Sequence, residues 1–69
     1  MKEIDARGFA CPMPVIMVQK EVKASAPSEL KVLVDNKCAV ENVTRFARSE
    51  RYNVTSREME DDFEVVLTK

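Results

Sequence analysis

The chain has no histidine. That removes cysteine–histidine nucleophile pairs and most zinc sites together. It has one glycine and three prolines, which excludes a low-complexity or flexible-linker reading. It lacks an excess of charge of either sign: the net charge is −1, with no basic footprint for nucleic acid. It lacks a long apolar run, so no segment is expected to span a bilayer, and "MKEIDARGF" has no apolar signal core. Two cysteines are too few to staple a fold. They are expected as reduced thiols in a cytoplasmic protein.

What is present is an ordinary globular balance of 45% hydrophobic and 33% charged residues over 69 positions. The length suits one small domain, residues 1–69, with a core just sufficient to fold alone. "KEIDA" alternates and reads as a strand. From Pro12 to about Ser25, Val15, Val18 and Val22 recur at helical spacing. Pro27 disfavours helix at Ala26. "ELKVLV" alternates Leu30, Val32 and Val34 as a second strand. Asp35 and Asn36 are the N-cap residues expected for a second helix, whose stripe is Ala39, Val40, Val43, Phe46 and Ala47. "YNVTSRE" and "FEVVLTK" read as two more strands around the acidic turn "MEDD", which has no calcium-ligand spacing.

The order is β-α-β-α-β-β. Each strand has an apolar face and a mostly polar one. One face of the sheet therefore needs cover, and right-handed crossovers put both helices there. The expected fold is an α/β two-layer sandwich.

Both cysteines fall at the sheet's carboxyl edge, where open α/β sheets place ligands. "ACPMPV" puts Cys11 at a helix start beside two prolines, and proline suits a helix's first turn. With Cys11 as N-cap, Pro12 takes the first helical position and Pro14 the third. Met13 is then the backbone donor left among those three. The positive end of the helix favours a thiolate, and Arg7 is a second source of positive potential. Cys38, in the first turn of the second helix beside Ala39 and Val40, reads first as a core residue. Met13, Met17 and Met59 read as gap-fillers or surface rather than metal ligands, and no metal site or cofactor is expected.

"DARGFACPMPV", Asp5 to Val15, resembles the signature of the TusA/SirA sulfur-carrier family, in which Cys-Pro-x-Pro follows a glycine-containing loop. "VDNKCAVENVTRFARSERYNV" looks like the carrier-like domain of the YedF-type selenium-metabolism branch. The resemblance implies a four-stranded mixed sheet in the order 1-2-4-3, with the last strand antiparallel. It implies that Cys11 carries sulfur as a persulfide, with Pro12, Pro14 and Gly8 completing the motif. The donor would be a cysteine desulfurase or another sulfurtransferase, with a downstream acceptor of sulfur or selenium. Phe9 and Ala10 stand where many relatives have a leucine and a polar residue, which makes the surroundings of Cys11 more apolar. Phe9, Met13 and Arg7 are the expected partner contacts, although Phe9 also suits the core.

Two other classes stay open. One is a non-catalytic regulatory or redox-sensing domain with the same fold. The other is a thiol–disulfide protein using Cys11 and Cys38. Neighbouring helix starts are expected too far apart for an unstrained bond between them, which makes Cys38 an accessory residue at most.

Overall fold

The structure, a computed structural model, describes residues 2–10 and 12–69. Its elements are β1 (Lys2–Asp5), α1 (Met13–Ser25), β2 (Glu29–Val34), α2 (Lys37–Ser49), β3 (Asn53–Glu58) and β4 (Phe63–Thr68). The strands form one four-stranded sheet in the order β1-β2-β4-β3. β1 runs parallel to β2, from Lys2 opposite Leu30 to Asp5 opposite Leu33. β4 is antiparallel to both β2 and β3. This is the two-layer β-α-β-α-β-β sandwich expected, with the expected sheet order.

The core follows from two periodicities. On β2 and β4 every second residue turns inward. Leu30 lies opposite Leu67 and Val32 opposite Val65, and all four are fully buried. Helix α1 buries Pro14, Val18 and Val22, four residues apart, and α2 buries Ala39, Val43 and Ala47 at the same spacing. Pro14 is thus a core residue as well as a helix-start residue. Its ring is fully buried, whereas Val15, expected on the inner stripe, is half-buried. The opposite face of the sheet is polar. There Glu64 pairs with Lys31 at 3.5 Å and Arg57 at 3.3 Å. Such exposed pairs contribute at most about 1 kcal/mol each.

Both helices end on left-handed residues. Ala26 caps α1 at φ 42, so the residue before Pro27 does leave the right-handed helical region. At the end of α2, the Tyr52 N–H donates to the Ala47 carbonyl at 3.0 Å, and the Arg51 N–H to that of Arg48 at 3.0 Å. That pair of bonds is the Schellman arrangement, in which the left-handed position is usually glycine. Arg51 holds it at φ 68. The motif turns the chain so that Tyr52 is buried against the core, with its hydroxyl donating to the Pro27 carbonyl at 2.7 Å.

Arg51→Gly removes the side-chain penalty of the left-handed conformation, which is about 1 kcal/mol. It is therefore expected to raise stability by roughly that amount. Urea unfolding measures this. An unchanged or lower midpoint would contradict the strain assigned to Arg51.

Candidate functional site

The parallel pairing of β1 and β2 carries both following connections out at the same edge of the sheet. The β3–β4 turn joins them there, because Phe63 at the start of β4 lies opposite Val34 at the end of β2. After β1, the Ala6 N–H still reaches the Leu33 carbonyl at 2.8 Å, and Ala6 is fully buried. Beyond it the chain leaves the sheet through Arg7, Gly8, Phe9 and Ala10. Cys11, on which the chemistry is expected to rest, lies outside the described residues.

Three carboxylates hold the loop, one at the end of β1 and one from each of two other connections. Asp5 accepts from the Arg7 backbone N–H at 3.1 Å and from its Nε and Nη2, both at 2.9 Å. Asp62, in the β3–β4 turn, accepts from Arg7 Nη1 at 3.1 Å. Asp35, just past β2, accepts from the Gly8 N–H at 2.7 Å. Gly8 adopts φ +85, the left-handed region where a side chain is strained, yet no atom would crowd an added Cβ there. The requirement for glycine is therefore conformational. The Arg7 guanidinium holds the Asp5 carboxyl down to about 2. The Gly8 amide, then the Asn36 side chain, hold Asp35 below the usual carboxylate range.

Several expectations change here. Arg7 is expected, beside the helix start, as a second source of positive potential for a thiolate. Its charge is instead bound by Asp5 and Asp62. Asp35 was expected to cap α2. The cap is Asn36 alone, whose Oδ1 accepts from the Ala39 N–H at 2.8 Å, while Asp35 turns across to Gly8. Helix α1 starts one residue later than expected. Pro12 occupies the capping position at φ −98, and its carbonyl accepts the first helical bond, from Ile16 at 3.2 Å. Pro14 is then at the second helical position, not the third. Met13 is not an open donor, because its N–H bonds the Ala10 carbonyl at 2.9 Å.

Cys38 also departs from expectation. It is exposed and forms no disulfide. The buried stripe of α2 runs through Ala39, Val43 and Ala47, so Cys38, one residue earlier, is turned about 100° away on the helix. Asn42 Nδ2 lies 3.6 Å from its sulfur.

Phe9 is 44% exposed and Met13 42% exposed, and these are the exposed large hydrophobic residues among those described. Phe9 is thus surface and not core. Both lie two positions from Cys11 in the chain. From Pro12 a groove runs between the helices, bounded by Val15 and Phe46 and by the polar groups of Gln19, Asn42 and Arg45. Among the described residues, no three histidine, cysteine or acidic side chains are placed to hold a metal ion. No helix among them is long and apolar enough to cross a membrane.

The fold and this edge define a small α/β sandwich with a tethered loop that carries exposed Phe9 and leads to exposed Met13 at the start of α1. The chain belongs to the TusA sulfurtransferase family, whose profile matches residues 2–69. It is 38% identical over 71 aligned positions to a candidate sulfur carrier protein of Methanocaldococcus jannaschii, covering 100% of this chain and 95% of that one. It also matches the crystal structure of a SirA-like protein from Desulfitobacterium hafniense with a TM-score of 0.88 and 31% identity. That match covers 97% of this chain and 95% of the other.

The carboxylates give the loop a defined pH response. Asp5 and Asp35 have lowered pKa values in the fold, so their contribution is complete above the ordinary carboxylate value near ~4. It is lost as the pH falls through the lowered values, toward about 2 for Asp5. The amide shift of Gly8 is therefore expected to be flat from neutral pH down to about 4 and to move below it. A Gly8 amide that titrated near neutral pH would contradict the assignment.

Proposed function

We propose that the protein is a sulfur carrier that accepts and relays a sulfane sulfur on Cys11. The observation that carries this reading is the placement of Phe9 and Met13, exposed large apolar residues on either side of Cys11 in the chain. A carrier thiol works only when another protein's cysteine comes within bonding distance. Exposed apolar residues two positions to either side of it in the chain provide the contact. Membership of the TusA family and the likeness to a candidate sulfur carrier support the same reading.

The step needs no further co-reactant. The Cys11 thiolate attacks the outer sulfur of a donor persulfide, held on a cysteine desulfurase or another sulfurtransferase. The donor's S–S bond breaks, and the donor cysteine leaves as a thiolate. A new S–S bond forms on Cys11, whose proton has gone to solvent. The sulfane sulfur changes carrier, and nothing is oxidised or reduced overall. Delivery to the acceptor repeats the step in reverse roles. Pro12 and Pro14 fix the start of α1, and Pro14 ties that start to the core. The resemblance to the selenium branch extends the cargo to selenium by the same exchange. The exposed, unpaired Cys38 favours one second reading, in which it resolves a mixed species on Cys11.

Incubation with a cysteine desulfurase and cysteine is expected to add one sulfur mass, removable by reductant. The addition is expected in Cys38→Ser and not in Cys11→Ser. Loading abolished by Cys38→Ser with the fold intact, or quantitative intramolecular disulfide under mild oxidant, would replace the carrier with a two-cysteine mechanism.

A second measurement addresses the patch. Phe9→Ala is expected to change stability by no more than about 0.5 kcal/mol, because the residue is on the surface. It is expected to slow sulfur acceptance about tenfold or more, as truncation of an aromatic interface anchor does. Unchanged acceptance per folded molecule would remove Phe9 from the docking surface.

A further inference from the structure

We infer that Asp35 is a positioning residue for Cys11, its carboxylate holding the Gly8 amide and so fixing where the loop presents the thiol. The inference rests on Cys11 being the carrier thiol. Asp35 lies 27 residues from Gly8 in sequence, at the junction of β2 and α2, and belongs to no part of the Cys-Pro-x-Pro motif. Its two oxygens have separate tasks. Oδ2 accepts from the Gly8 N–H at 2.7 Å, and Oδ1 accepts from Asn36 Nδ2 at 3.0 Å. The Asn36 Oδ1 in turn accepts from the Ala39 N–H at 2.8 Å. A line of hydrogen bonds thus runs from the first turn of α2 to the loop that precedes α1.

That line is the upstream anchor of the Cys11 segment. The downstream anchor is the Ala10 carbonyl bonded to the Met13 N–H at 2.9 Å, followed by buried Pro14. Phe9 and Ala10, between the anchors, are exposed and outside any helix or strand. Their path is set at its start by the direction in which the chain leaves Gly8. Gly8 is bound at its amide and takes a φ of +85 that its lack of a side chain permits. Arg7, bonded to Asp5 and Asp62, orients the preceding residue only. Sulfur exchange requires near in-line approach of two sulfur atoms. A displacement of about 1 Å in such a reaction costs up to roughly a hundredfold in rate. A single charge-assisted bond at the base of a short exposed loop is therefore placed to govern transfer more than stability.

The test uses the full chain labelled with nitrogen-15, in which Gly8 is the sole glycine and its amide resonance is readily assigned. Asp35→Ala is expected to speed hydrogen exchange at Gly8. It is also expected to slow loading by a desulfurase and cysteine about tenfold or more, while Cys38 alkylation in the same sample is unchanged. Asp35→Asn keeps an oxygen for Gly8 and loses the bond from Asn36. It is expected to load within about threefold of the parent, a rescue that a merely structural role would not produce. Gly8→Ala, which strains the loop with Asp35 intact, is expected to slow loading as well and serves if Asp35→Ala does not fold. Gly8 exchange unaffected by Asp35→Ala, or Asp35→Ala loading at the parent rate, would overturn the inference. Loading of Cys11→Ser would overturn the carrier reading instead, and Gly8 exchange would still decide whether Asp35 holds the loop.

Discussion

The parallel pairing of β1 with β2 is the constraint on which the rest depends. The other strand pairs in the sheet are antiparallel. Parallel neighbours need a crossover, and α1 supplies it on the face where Leu30, Val32 and Val34 are buried. The crossover leaves and returns at defined ends. The loop after β1 and the loop after β2 must therefore emerge side by side. Only that adjacency allows the carboxylate of Asp35 to meet the amide of Gly8. The antiparallel partner β4 then brings Asp62 to the same edge, within reach of Arg7.

Arg7 differs from the free cation that an electrostatic trap for a reactive thiol would use. A guanidinium near a cysteine lowers its pKa when the positive charge is uncompensated. Here two carboxylates bind that charge, and a third lies at Gly8. The proline at the second helical position has no N–H, and the Met13 N–H is already occupied. What the described residues supply is a tethered loop and two exposed apolar side chains, Phe9 and Met13. Both suit the relay proposed for Cys11, since a partner's cysteine can bring its own activating environment.

How much of this was legible in the sequence depended on the range of the interaction. Alternation in "ELKVLV" and "FEVVLTK" and the helical spacing of valines and alanines are local, and they specify the element order and the covered face. The bonds between Arg7 and Asp62 and between Gly8 and Asp35 span 55 and 27 residues, and no periodicity reports them. Asp35 was legible only as a capping residue because its neighbour Asn36 has the same short acceptor side chain. Cys38 read as core because it adjoins Ala39 and Val40. A rotation of about 100° per residue separates it from the buried stripe, and adjacency in sequence does not show that angle. Pro14 marks a helix start and also fills the core, and the local signal of a helix start does not report the second role.

The central claim is that the chain relays sulfur on Cys11. Its most direct test is to trap the loaded protein with a thiol-blocking reagent, digest it without reductant, and map the sulfane sulfur by peptide mass. The account predicts a trapped persulfide on the peptide containing Cys11, with Cys38 blocked as a simple thiol. A persulfide located on Cys38, or none on either peptide after productive incubation with a desulfurase, would contradict it.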